Sequence, residues 1–120
     1  MKNILFYSPD LSMCASWVML LYDRYAVTTT TKFENIKNIL SSNDFDMVVF
    51  DAEPNIRLEE LINEFDSAER RVSVILTYVF TNDVKMIENK IRSKVEAIFY
   101  KPIDLSEVTK KIDFLLSEPV

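Results

Sequence analysis

The chain has 120 residues, 48% of them hydrophobic and 12% aromatic, enough to build one continuous core and too few for a second domain. Its net charge of -5, with 28% charged residues, argues against direct binding to nucleic acid or anionic lipid through bulk electrostatics, so any DNA-binding partner domain would have to lie elsewhere. One cysteine, Cys14, and no histidine exclude disulfide frameworks, the usual nitrogen and sulfur zinc sites, and Ser-His or Cys-His catalysis; the absence of glycine removes phosphate loops and dinucleotide fingerprints, which need a backbone without Cβ atoms.

The opening apolar run ends at Ser8-Pro9-Asp10, too short for a signal peptide or a bilayer span, so the chain is expected to be cytoplasmic. Ile4 to Tyr7 reads as a strand. Leu11 to Arg24 reads as a helix with Cys14, Val18 and Leu21 on one face and Asp10 or Ser12 as its N-cap. Tyr25 to Thr30, rich in β-branched residues, predicts a second strand. Phe33, Ile36 and Leu40 follow at helical spacing, and that helix is expected to stop at Ser41 to Asp44, where Asn43 can take the left-handed conformation normally given to glycine. Met47 to Phe50 is an apolar strand ending in Asp51. After Pro54, Leu58, Leu61, Ile62 and Phe65 mark an amphipathic helix. Val72 to Leu76 predicts the next strand, closed by Thr77. Val84, Ile87 and Ile91 mark a fourth helix, and Ala97 to Tyr100 a fifth strand ended by Lys101-Pro102. Leu105, Val108, Ile112 and Leu115 mark the last helix, opened by Asp104 and Glu107 in the form of a capping box and ending at about Leu116.

Strands and helices therefore alternate with a period of roughly two dozen residues, as right-handed parallel crossovers require. The expected architecture is α/β, a (βα)5 chain forming a doubly wound parallel five-stranded sheet with both faces covered, over residues 1–120 as one domain. In such sheets the functional crevice lies beyond the carboxyl ends of the strands. Ser8-Pro9-Asp10, Asp51, Thr77 and Lys101 all stand at strand ends, so a carboxylate, a hydroxyl and an ammonium should converge. Together they suit phosphoryl transfer to a carboxylate: an aspartate as nucleophile, a lysine to neutralise the transferring oxygens, a hydroxyl to bond one of them, and commonly a divalent ion held by oxygen ligands.

With Asp51 after Asp46-Met47-Val48-Val49-Phe50, Thr77 after Val74-Ile75-Leu76, and Lys101-Pro102 before Ile103-Asp104-Leu105, the chain resembles the response-regulator receiver family along essentially its whole length. The resemblance implies a flavodoxin-like three-layer sandwich with strand order 2-1-3-4-5. It implies Asp51 as phosphoacceptor, Thr77 and Lys101 as phosphoryl contacts, a cis bond before Pro102, magnesium as cofactor, and a non-enzymatic module of a two-component phosphorelay partnered by a histidine kinase or another signalling protein. The chain departs from the family where two adjacent acids would hold magnesium, offering Ser8-Pro9 instead. Asp10 and Glu53 are the candidates to join Asp51 at a metal; the alternative is that Asp10 caps the first helix and Glu53 is solvated. Tyr78 replaces the small residue after the switch hydroxyl and is expected to gate the pocket, and Ile98 stands where an aromatic is usual.

Trp17 to Tyr22 is an unbroken apolar run, which makes more than one helix face apolar. Met13, Trp17 and Leu20 form a stripe expected either to meet a partner or a second copy of the chain, or to pack beside the last helix through Phe114 and Leu115. The competing readings are a receiver that accepts phosphate on Asp51 weakly or not at all, a phosphorylation-independent pseudo-receiver scaffold and, with little support, a small α/β hydrolase or transferase.

Overall fold

The computed structural model describes residues 1–67 and 72–117, with side chains throughout except at 66 and 67. The tail expected beyond the last helix falls partly on residues 118–120, outside the described residues. Five strands, β1 (Asn3–Tyr7), β2 (Ala26–Thr30), β3 (Met47–Asp51), β4 (Ser73–Tyr78) and β5 (Ala97–Tyr100), alternate with five helices, α1 (Leu11–Leu21), α2 (Ile36–Ser42), α3 (Ile56–Ser67), α4 (Lys85–Ile91) and α5 (Leu105–Leu116). Every strand pair is parallel and the order is β2-β1-β3-β4-β5, the flavodoxin-like arrangement.

The period of two along each strand divides the core. Leu5, Tyr7, Val48, Phe50, Leu76 and Tyr78 face the layer of α2, α3 and α4, while Ile4, Phe6, Met47, Val49 and Ile75 face α1 and α5. Strands apolar on both sides therefore hold the sheet at the centre of three layers, and each large apolar side chain so buried contributes about 1.5–3 kcal/mol.

Helix α1 faces the sheet through Cys14, Trp17 and Leu21. Trp17 is only 1% exposed, its ring stacked on Phe6 with centroids 4.8 Å apart, and Met13 and Leu20 pack partly buried against the same cluster. The Met13, Trp17 and Leu20 stripe is therefore a core seam and not a free partner surface. The periodicity leaves two faces open, and the Phe6 ring on β1 selects the one that carries the indole. The large apolar residues that α1 exposes are Leu11 and Met19, followed by Tyr22 just past its end. Leu115 joins the α1 and α5 layer as expected, but Phe114 is 72% exposed, with the Lys111 ammonium 5.6 Å from its ring centroid.

Helix ends differ from the sequence reading for local reasons. Helix α1 stops at Leu21, three residues before Arg24, because the apolar stripe ends there and the Arg24 and Tyr25 amides turn back onto the Leu21 carbonyl. Arg24 and Tyr25 then reach α5, both donating to Asp113. Asn43 is extended (φ -146°) rather than left-handed, and no described residue has positive φ. At that end the Ser41 and Ser42 hydroxyls both donate back to the Asn38 carbonyl, and the chain leaves the helix in an extended conformation.

Candidate functional site at the strand ends

Asp51 closes β3 with its side chain on the α1 and α5 face, continuing the row of Met47 and Val49. Thr77 lies directly beside it in register on β4, and Ser8 continues the Ile4 and Phe6 row just past β1. A polar side chain at the same height on three adjacent strands is a direct outcome of parallel register and the two-residue pleat. The Thr77 hydroxyl donates to Asp51 Oδ1 at 2.8 Å, Lys101 Nζ stands 2.6 Å from the same oxygen, and the Ser8 hydroxyl donates to Oδ2 at 2.8 Å. Asp51 is 4% exposed and Thr77 and Ser8 are fully buried, while the Lys101 side chain retains 33% exposure. The Lys101-Pro102 bond is cis. A depression of about 400 Å³ opens above the group, with Asp10, Glu53 and Thr81 along its lining.

Ser8 is fixed from both sides. Its oxygen accepts the Asp10 amide at 3.1 Å while its proton goes to Asp51, and its carbonyl accepts the Cys14 thiol at 3.7 Å. Burial, more than any neighbouring charge, pushes the Cys14 thiol above its ordinary range, so this cysteine is a packed element under the site and not a reactive thiolate.

The three acids expected around a metal do not assemble. The Asp10 carboxylate is the N-cap of α1, accepting the Ser12 hydroxyl at 2.6 Å and the Ser12 amide at 2.9 Å, and these two bonds hold it below the usual carboxylate range. Glu53 is exposed, with the Thr81 hydroxyl 3.5 Å from its Oε1. Among the described residues no three acidic, histidine or cysteine side chains form a group able to hold an ion. Magnesium takes near-octahedral oxygen ligands, and here the Asp51 carboxylate already has donors on both oxygens. The residues present do not fit the ion.

Tyr78 contributes to the depression's lining, yet its ring is no gate. It belongs to the opposite row of β4, is 2% exposed, and packs edge-on to Tyr100 with centroids 5.8 Å apart. Its hydroxyl donates to Oε1 of Glu88 on α4. The Tyr100 hydroxyl donates to the same oxygen at 2.7 Å, and Arg92 Nη2 donates to Oε2 at 2.7 Å and to the Tyr100 hydroxyl at 3.1 Å. Burial raises the Glu88 carboxyl, but the bonds from Tyr78, Tyr100 and Arg92 outweigh it and leave the group below its ordinary range. Burial first, then Glu88, pushes the Tyr78 hydroxyl far above its ordinary value. Sequence reading missed this centre; its only trace is a glutamate four residues after Val84 on the buried side of α4.

No protein-family model matches the chain, and no curated protein matches it. Solved structures do. The N-terminal signal receiver domain of a two-component response regulator from Bacteroides fragilis superposes with a TM-score of 0.80 at 15% identity, covering 99% of both chains. The chemotaxis protein CheY4 of Vibrio cholerae gives 0.78 at 15% identity over 97% of this chain and 99% of that one. A pilus assembly protein (cpaE) from Burkholderia thailandensis gives 0.77 at 20% identity over 98% of this chain and 100% of that one. At such identities the likeness is one of architecture, and this chain has the fold of response-regulator receiver domains.

Proposed function

We propose that this domain is a signalling receiver module that acts through protein contacts and whose Asp51 accepts a phosphoryl group weakly or not at all. The observation that carries the reading is the Ser8 hydroxyl on Asp51 Oδ2, beside Thr77 and Lys101 on Oδ1. Transfer needs a free carboxylate oxygen to form a bond to phosphorus while the bond to the donor fragment breaks and its electron pair departs with that fragment. Lys101 and Thr77 are the right groups to hold the phosphoryl oxygens, but both already serve Asp51. Ser8 occupies the remaining oxygen with a neutral hydroxyl where an acid would recruit a cation, so Lys101 alone offsets the two anions that must meet.

The module turns over no substrate of its own in this reading. Its partners are a histidine kinase or another signalling protein, or a second copy of the chain. Engagement of both Asp51 oxygens also favours the alternative of a phosphorylation-independent pseudo-receiver scaffold. Incubation with magnesium and a small phosphodonor, followed by intact-mass measurement, tests both. A minor adduct that vanishes in Asp51→Asn supports the weak acceptor, no adduct supports the scaffold, and complete conversion of the unmodified sequence overturns the role given to Ser8. Ser8→Asp should raise the adduct fraction.

A further inference from the structure

We infer that Glu88 is the positioning residue of the strand-end site, acting on Thr77 and Lys101 through the tyrosines beside them in sequence. Tyr78 follows Thr77 at the end of β4, and Tyr100 precedes Lys101 at the end of β5. Tyr78 and Tyr100 are register partners, and the Lys101 amide donates to the Tyr78 carbonyl at 2.8 Å, so the two strand ends form one hydrogen-bonded unit. On one face of that unit Thr77 and Lys101 both converge on Asp51 Oδ1. On the other, the Tyr78 and Tyr100 hydroxyls both converge on Glu88 Oε1. Two carboxylates thus grip the same pair of strand ends from opposite sides of the sheet.

The second grip is as deeply buried as the first. Glu88 is 3% exposed, and its other oxygen is held by Arg92 one helical turn on, which also reaches the Tyr100 hydroxyl. Charge-assisted bonds inside a buried network are stronger and better aligned than exposed ones. β5 lies at the sheet edge with a neighbour on one side only, and Tyr100 is its half-exposed last residue, so the hydroxyl on Glu88 ties down a strand end that the sheet itself holds weakly. Glu88 touches neither Asp51 nor its donors, and what it fixes is the backbone from which Thr77 and Lys101 project. The inference depends on this geometry alone and holds whether or not Asp51 is ever phosphorylated.

The test is proton exchange at the Lys101 ammonium, followed by nitrogen-15 NMR on the full chain and assigned from its disappearance in Lys101→Arg. Glu88→Leu keeps an apolar volume on α4 but removes the shared acceptor, and Tyr100→Phe keeps the ring but removes one hydroxyl. Ile91→Val trims the same helix and leaves the network in place. Exchange should quicken about tenfold in Glu88→Leu and in Tyr100→Phe, the order expected for loss of a charged hydrogen bond, and change less than about twofold in Ile91→Val. An unchanged rate in Tyr100→Phe, which alters a half-exposed side chain, overturns the inference even if Glu88→Leu is poorly folded. An equal rise in Ile91→Val also overturns it, because the effect would then be general loosening of α4.

Discussion

Asp51 and Glu88 are both nearly buried carboxylates, and both are bonded by side chains from the ends of β4 and β5, yet they differ in what surrounds them. Asp51 opens onto a depression and is reached by a lysine that keeps a third of its surface in water. Glu88 is bonded by two phenol hydroxyls and a guanidinium, and it does not line that depression. The contrast separates two uses of one chemistry: a carboxylate beneath a depression, with a part-exposed lysine, is suited to exchange partners, whereas one bonded by two phenols is suited to hold a shape.

The comparison breaks if its energetic order is reversed. Glu88→Ala should cost the most, about 3 kcal/mol by urea unfolding, because it leaves the buried Tyr78 hydroxyl without its acceptor and removes a charged group bonded by three side chains, although Arg92 can turn to water. Asp51→Ala should cost less, about 2 kcal/mol, since Lys101 can turn to water and only Thr77 and Ser8 lose a buried partner. Ser8→Ala should cost about 1 kcal/mol, as one neutral bond is removed.

Acid titration sharpens the same contrast. Glu88 has a folded pKa below its unfolded value, so its contribution is complete above about pH 4.3 and is lost as pH falls through the depressed folded value. Stability measured across that range should fall less steeply in Glu88→Gln than in the unmodified sequence. The smallest effect is expected at the alkaline end. Burial, then the bond to Asp113, pushes the Tyr25 hydroxyl up to about 12, so its contribution is complete below about pH 10 and disappears as pH rises through the folded value. Tyr25→Phe should remove that part of the alkaline decline.

The Asp51 site was legible in the sequence because each of its members ends a strand, and an open parallel sheet brings successive strand ends to one edge. The βα period alone carried that inference. Glu88 was barely legible: it stands four residues after Val84 and three before Ile91, on the buried stripe of α4, but a glutamate there gives no sign of what would bond it. Its burial is decided by hydroxyls 10 and 12 residues away in sequence, on strands whose rows must first be known. Ser8 was visible as a missing acid, but its role as a donor to Asp51 depends on the same row assignment across β1 and β3. The face of α1 that meets the sheet was hidden for the opposite reason. Trp17 to Tyr22 is apolar at every position, so periodicity cannot choose between seams, and the Phe6 ring makes the choice.

That indole has a practical value. Trp17 is the sole tryptophan of the chain, it is stacked on Phe6, and its Nε1 is buried with no hydrogen-bond partner. Its emission therefore comes from a dry, apolar setting and should lie well to the blue of a hydrated indole. Phe6 stands two residues before Ser8 in the same row of the first strand, so this fluorophore is a built-in optical reporter lying directly beneath the polar cluster.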